Sequence, residues 1–238
     1  MAKLVKAVLS KKIKRTSDIK TFRFVSEEEI KFIPGQFSQV IFDEKNLGNK
    51  ALNKYLSFSC SPGKDYIEVT KRISDSQFSK KLIDLKIGDK VLFKFSFGNC
   101  IVKDTDKKIC FLIGGIGITP VISIVEDIIE KKKDTDIIIF YSNRTEEDIA
   151  FKEELNCWGK NKYNLKIYYV ITDSEPIDSR FILGFINKDL ILEKTKDFKG
   201  RFFFILGPPK MVEAMKSLCL EMGCDKKCIR TESFIGYL

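Results

Sequence analysis

The sequence predicts a β + α/β protein: an N-terminal antiparallel β-barrel followed by a doubly wound parallel-sheet domain. Three observations carry this. Residues 1–100 hold short β-prone runs at close spacing, with turn residues between them. From about residue 108 apolar strands alternate with amphipathic helical segments, the pattern of a parallel sheet with crossover helices. Between these patterns lies Leu112-Ile-Gly-Gly-Ile-Gly-Ile-Thr-Pro120, an apolar strand running through a glycine turn into a helix.

In the first half the strands are read at Phe22–Val25, Phe37–Phe42, Tyr66–Ile73 and Val91–Phe95. Pro34-Gly35, Pro62-Gly63 and Gly88-Asp89 punctuate them, and one helical segment falls near Gln77–Leu85. In the second half Ile109–Ile113 leads to a helix over Pro120–Lys132, and Ile137–Tyr141 to one over Glu146–Trp158. Leu165–Ile171 precedes a short helix near residues 187–194. Arg201–Leu206 leads to Pro209–Met222, and Cys228–Thr231 ends the series. Thr119 is expected to cap the helix after the glycine turn, with Pro120 at its first position. Such a turn aims backbone N–H groups and a positive helix end at one point, which suits a phosphate; a plain structural turn is the alternative. The ligand edge of such a sheet is the carboxyl end of its strands. Gly114–Gly117 and Gly207-Pro208-Pro209 both fall there.

Composition narrows the classes. The 238 residues are 44% hydrophobic and 12% aromatic, enough for a substantial core. The net charge is +9, with lysine spread along the chain and no nucleic-acid motif. This suits either a face for an acidic protein partner or a generally lysine-rich surface. Residues 109–125 carry no charge, but three glycines and a Thr-Pro interrupt them, so no membrane span is expected. The seven cysteines are odd in number and scattered, and no disulfide framework is read. Cys219, Cys224 and Cys228 lack metal-ligand spacing, so no metal is expected. The chain has no histidine, which excludes His-ligated zinc and any His-dependent base. Met-Ala-Lys-Leu-Val-Lys has no apolar core of signal-peptide length, and a cytoplasmic protein is expected.

Five motifs in order resemble the ferredoxin–NADP reductase superfamily over essentially the whole chain. Lys54-Tyr-Leu-Ser57, followed by Ser61-Pro62, stands where that family has Arg-x-Tyr-Ser and Ser-Pro. Val69-Thr70-Lys71-Arg72 and Ser76-Gln77-Phe78-Ser79 resemble its next strand and phosphate-binding helix start. Gly114–Pro120 matches its Gly-Gly-x-Gly-x-Thr-Pro. Leu206-Gly207-Pro208-Pro209-Lys210-Met211 resembles its Cys-Gly-Pro-Pro-x-Met, and Glu232-Ser233-Phe234 its terminal Glu-x-Phe.

The resemblance implies an FAD-binding barrel at 1–103, with FAD favoured over FMN, and an NAD(P)-binding domain at 104–238. It implies flavin contacts from Lys54, Tyr55, Leu56, Ser57, Val69, Thr70, Lys71, Gln77, Phe78 and Ser79. Within that set Ser57 bonds the N5 edge of the flavin, Lys54 neutralises pyrophosphate charge, and Ser79 with the Gln77 and Phe78 N–H groups caps the phosphates. It also implies dinucleotide contacts from Gly114, Gly115, Gly117, Thr119, Pro120, Asp173, Leu206, Gly207, Pro208 and Phe234. Ser57 and Glu232 are the catalytic candidates, Glu232 as a group that orients the nicotinamide or relays a proton.

Two departures stand out. Lys54 offers a point charge where the family's arginine offers a fork, and Leu56 replaces a stacking tyrosine. An aliphatic residue there resembles the branch of electron-transfer subunits that includes the partner of dihydroorotate dehydrogenase. That branch carries a cysteine cluster for a 2Fe–2S centre, which this sequence lacks. Thr172-Asp173-Ser174-Glu175 would repel a 2′-phosphate, so NADH is favoured over NADPH, with Arg144 and Arg180 as opposing candidates. The expected activity is hydride transfer from NADH to FAD, then electron transfer to an acidic acceptor protein such as ferredoxin, flavodoxin or an oxygenase component. The chain would work as a monomer or as a subunit of a redox complex. Two alternatives stand: a reductase of free flavin, ferric chelates or quinones, and a non-catalytic dinucleotide-binding subunit.

Overall fold

The computed structural model describes residues 3–161 and 164–234. Contacts divide the chain into two units: residues up to Ile101 with Thr119–Asp127, and Val102–Ile118 with the residues from Ile128 onward. No helix among the described residues is long and apolar enough to cross a membrane.

The first unit is an antiparallel barrel of β1 (Leu4–Lys14), β2 (Ile19–Val25), β3 (Phe37–Ile41), β4 (Asn53–Ser57), β5 (Ile67–Arg72) and β6 (Lys90–Phe97), in the order β4-β3-β6-β1-β2-β5. The outer strands meet just beyond β4: Phe58 bridges Val69, and the Ser59 N–H donates to the Glu68 carbonyl at 2.9 Å. This closure leaves few unpaired backbone groups at the sheet edges. The interior is aromatic. Phe58 stacks on Phe32 and Phe95, with centroids 4.0 and 5.7 Å away, and Phe24 meets Phe93 edge-on. Helix α1 (Gln77–Asp84) fills the barrel with Phe78 and Leu82. Each such side chain contributes ~1.5–3 kcal/mol on burial.

Strand β1 was not expected. Its lysines mask an alternation in which Val5, Ala7 and Leu9 point inward. A bulge at Ser10 then breaks the period, because Leu9 pairs with Phe24 and Lys11 with Arg23.

From Val102 onward the chain runs β7 (Lys108–Gly114), α2 (Ile118–Glu130, whose residues Thr119–Asp127 group with the first unit), β8 (Asp136–Asn143), α3 (Lys152–Asn161), β9 (Leu165–Ile171), β10 (Ile182–Leu183), α4 (Lys188–Lys194), β11 (Phe202–Gly207), α5 (Pro209–Glu221) and β12 (Ile229–Ser233). The strands are all parallel, ordered β10-β9-β8-β7-β11-β12. One sheet face, with Leu112, Phe140 and Phe203, packs on Leu190 and Ile191 of α4 and Val212 of α5. Phe111, Ile139 and Phe204 on the other face are equally buried. Burial on both faces is why these strands read as continuous apolar runs. Arg201 pins the amino edge of the sheet, with Nη1 2.6 Å from Asp136 and Nε 2.8 Å from Asp197.

Three local expectations need correction. The helix expected over Glu146–Trp158 is a 3₁₀ turn, Glu146–Asp148, followed by α3. Thr145 and Asp148 form a reciprocal capping box around that turn. Ile149, Ala150 and Phe151 are then buried in succession, which one face of a helix cannot do, and Phe151 takes φ = 60°. The helix after the glycine turn starts at Ile118, so Thr119 is not its N-cap and Pro120 is not its first residue. The glycines already form a 3₁₀ turn over Gly115–Gly117 that runs into α2. Pro120 remains in the first turn, where a missing N–H costs no intrahelical bond. Strand β10, two residues long, is too short to leave a periodic signal.

Candidate functional site

In the second unit, β7 lies at the topological switch point. Strands β8 to β10 extend from it to one side, and β11 and β12 to the other. The two glycine turns leave β7 and β11, which are neighbours with Ile113 opposite Leu206. They interlock by backbone. A methyl group on Gly117 would overlap the Leu206 carbonyl oxygen, one on Gly114 would overlap Met211 Sδ, and one on Gly207 would lie 3.1 Å from the Gly114 nitrogen. At Gly117 the obstacle is backbone, so glycine is required there by space, and main chain packs on main chain at this sheet edge. A turn of this kind can approach a pyrophosphate closely.

Leu206 is buried, Pro208 caps α5 and is exposed, and the Phe234 N–H donates to the Gly207 carbonyl at 2.9 Å. That bond and the β11–β12 ladder set Glu232 opposite Leu206. Burial pushes the Glu232 carboxyl up to about 7. It is thus able to hold or release a proton near neutrality beside the turn.

Asp173 lies exposed just past β9, its N–H donating to the Arg144 carbonyl at 2.9 Å. The loop that follows is organised by Glu146, whose carboxylate accepts the N–H groups of Ile177 and Asp178. Asn143, at the end of β8, escaped the sequence reading. It is buried, and neither its carboxamide oxygen nor its nitrogen has a hydrogen-bond partner. A lone asparagine at a strand end gives no sequence signal.

In the first unit the candidate residues separate by strand face. Lys54 and Leu56 lie on the face of β4 shared with Val40 and the core, while Tyr55 and Ser57 lie on the other. The Tyr55 ring is exposed and meets Phe37 and Phe97 edge-on. Ser57 is buried at the end of β4, opposite Phe37. Lys71 is only 6% exposed, and its Nζ donates to the Arg72 carbonyl at 2.9 Å. Burial, and secondly the charge of Lys54, push its ammonium down to about 8.

Five residues on, Ser76 caps α1, its hydroxyl accepting the Ser79 N–H at 3.2 Å. No acidic side chain lies in the first turn of α1, so its positive end is not compensated there. Ser79 is itself buried, its hydroxyl bonded to Ser74 and Ser76. The capping oxygen is therefore that of Ser76, because the N-cap position precedes the helix. Of the other candidates, Val69 and Phe78 place their side chains in the core. The Thr70 hydroxyl lies between those of Thr21 and Ser59, at 2.6 and 2.7 Å. The side chains of Val69 and Phe78 therefore offer a ligand nothing polar, and Lys54 and Lys71 are the cationic side chains of the candidate set.

Residues 111–217 match the family of oxidoreductase NAD-binding domains. Nitrate reductase (NADH) 1 of Nicotiana tabacum is 29% identical over 240 residues, which cover 88% of this chain and 26% of that protein. NADH-cytochrome b5 reductase 1 of Mortierella alpina is 30% identical over 167 residues, 68% of this chain and 55% of that one. The crystal structure of a ferredoxin NADP+ reductase from Neisseria gonorrhoeae with bound FAD and NADP superposes with a TM-score of 0.81 at 21% identity, covering 98% of this chain and 99% of that chain. Residues 111–217 carry the NAD-binding match, and the whole chain has the fold of that ferredoxin NADP+ reductase. The chain spans about a quarter of the length of the tobacco nitrate reductase.

Proposed function

We propose that this chain is a FAD-dependent NADH oxidoreductase that takes hydride from NADH onto FAD and passes electrons to an acceptor protein. The observation that carries the reading is the Lys54–Lys71 pair in the barrel. The two cations interact, one of them is buried, and a helix whose first turn holds no acid starts six residues after Lys71. An anion bound near these charges would be stabilised by them. A flavin dinucleotide supplies the anion, and with it a ring that accepts hydride and releases electrons singly.

The roles of the chain follow from its own residues. Lys54, Lys71 and the first N–H groups of α1 hold the diphosphate. Ser57 offers a hydroxyl at the end of β4 to the reactive edge of the ring. Leu56 covers apolar surface. In the second unit the Gly114–Gly117 and Gly207 turns receive the pyrophosphate of NADH, Asp173 accepts from a ribose hydroxyl, and Glu232 orients the nicotinamide and holds a proton. The net charge of +9 suits an acidic one-electron acceptor. A ferredoxin, a flavodoxin or an oxygenase component fits. The cytochrome b5 reductase relative adds a cytochrome b5-type haem protein.

The test is an anaerobic absorption spectrum of the purified chain, reconstituted with FAD, before and after one equivalent of NADH or NADPH. A bound-flavin spectrum that bleaches quickly with NADH and more slowly with NADPH is expected. A chain that stays colourless after incubation with FAD and FMN would sink the proposal. The acceptor is then read from turnover with each candidate protein at rising salt, where a cognate acidic partner loses rate steeply.

A further inference from the structure

The cysteines are scattered in sequence, but the fold gathers three of them. Cys110 of β7, Cys219 of α5 and Cys224 just beyond α5 lie in one core cluster, and all three are buried free thiols. Two of them meet because of the way α5 ends. The Cys224 N–H donates to the Cys219 carbonyl at 3.0 Å, and the Gly223 N–H to that of Leu220 at 2.9 Å. Gly223 takes φ = 85°, the left-handed conformation that lets the chain turn back. This is the Schellman form of helix ending, which folds the second residue past the cap onto the last helical turn. The two positions it brings together usually carry apolar side chains. Here both are cysteine, and the two thiols share a hydrogen bond.

We propose that Cys219 and Cys224 are a modification site, a dithiol that closes reversibly to a disulfide by exchange with a small disulfide such as oxidised glutathione. The main-chain bond between them keeps their backbones within the span a disulfide needs. Cys224 attacks first, as the thiolate. It bonds to one sulfur of the small disulfide, and one small thiol leaves. The Cys219 sulfur, its proton lost to solvent, then attacks the Cys224 sulfur, and the second small thiol leaves. The protein gives up two electrons and two protons, and the small disulfide takes up both. The order of attack follows from position. Cys224 lies past the helix end and is 7% exposed, whereas Cys219 is wholly buried. Burial raises both thiols, Cys219 to about 12, and the hydrogen bond from Cys219 opposes that rise at Cys224. Exchange therefore runs through brief opening of the helix end. The closed disulfide ties the cap of α5 to its last turn. Strand β12, which sets Glu232 opposite Leu206, begins five residues beyond Cys224.

The experiment is thiol mapping of the full chain, incubated folded with oxidised glutathione, quenched in acid, alkylated and cut with trypsin. Cys219 and Cys224 fall in one peptide, Ser217–Lys226, and Cys228 in another. In the wild type that peptide is expected to lose both thiols and two hydrogens of mass in most of the chain, and dithiothreitol is expected to restore them. Cys219→Ala should stop at a glutathione adduct on Cys224. Cys224→Ala should leave Cys219 a free thiol, and Cys228→Ala should close the pair as the wild type does. The oxidised chain should melt no lower than the reduced one, because a disulfide that fits the cap restrains the unfolded chain. A bond from Cys224 to Cys228 or to Cys110 overturns the inference, as does an oxidised chain that melts lower. Adducts confined to the more exposed Cys157 and Cys228, with Cys219 and Cys224 left as thiols, overturn it too. The wild-type map needs no substitution, so a variant that fails to fold does not decide the result. Neither FAD nor NADH takes part, so the outcome leaves the proposed function standing or falling on its own test.

Discussion

The two diphosphate sites of the proposed function are built on opposite principles. The barrel uses charge. Lys54 and Lys71 lie near enough that the first depresses the ammonium of the second, and a helix end adds its dipole. The parallel sheet uses shape. Gly114, Gly117 and Gly207 clear the side chains from the switch point so that main chain meets ligand directly. The difference teaches what each site tolerates. A site made of charge answers to pH and salt and keeps its form when one member is lost. A site made of absent side chains answers to volume, and one added carbon fills it.

Gly117→Val should break the comparison most sharply. Its side chain would collide with the Leu206 carbonyl, which belongs to the β11 backbone and cannot rotate away. We expect ADP-ribose affinity to fall more than about a hundredfold, with ~1–3 kcal/mol of overpacking strain, while the barrel retains FAD. Calorimetry and the spectrum of bound flavin read the two effects separately. Retained ADP-ribose binding would mean that the glycine turns are structural only.

Lys71→Met tests the charged site and should move stability and affinity in opposite directions. The ammonium is depressed from an ordinary value of 10.5 to about 8. The unfolded chain therefore binds more protons than the folded one between those values, and flavin-free wild type should gain stability as pH rises from about 8 to 10.5. Below that window the buried cation costs about 3 kcal/mol. The variant should be more stable than wild type at pH 7, should lose the alkaline rise, and should bind FAD about ten- to a hundredfold more weakly. Thermal melts across pH, with and without FAD, check all three. A variant destabilised at pH 7 would show that Lys71 is a structural cation.

How much of this was legible in the sequence follows the same division. The glycine turns were readable because glycine is conspicuous and its spacing between an apolar strand and a helix is local. The parallel strands were readable because burial on both faces writes continuous apolar runs such as Ile137–Tyr141. What escaped depends on partners distant in sequence. Lys71 is one lysine among many until the fold brings Lys54 beside it. Strand β1 hides under lysines because only its first half faces the core. That Ser76 caps α1 depends on where the helix starts, which composition does not show.

Ser57→Ala leaves both diphosphate sites whole and removes a single hydroxyl from the end of β4. Its loss should slow flavin reduction by NADH about tenfold, the scale of one hydrogen bond stronger in the transition state than in the ground state. FAD affinity should stay within about threefold. Stopped-flow reduction under anaerobic conditions measures the step directly, and an unchanged rate would return Ser57 to the role of a buried strand residue.

Glu232→Gln carries the smallest change in rate and the clearest change in shape. Burial alone raises the carboxyl to about 7, with no neighbouring charge contributing. The folded protein therefore holds this proton from its ordinary value of 4.5 up to about 7, while the unfolded chain has released it. Stability from this group falls as pH rises through that window and is lowest above it, so the glutamine variant should melt higher than wild type at pH 8 and match it near pH 4. If the carboxyl also holds a proton for the reaction, wild-type turnover should bend near pH 7 and the variant's profile should run flat through it, with at most a few-fold lower maximum. The two readouts separate the roles. A gain in melting temperature with an unaltered rate profile would make Glu232 a buried acid at the end of β12 and nothing more. A flattened profile would place a working proton opposite Leu206, at the sheet edge where the glycine turns leave the strands.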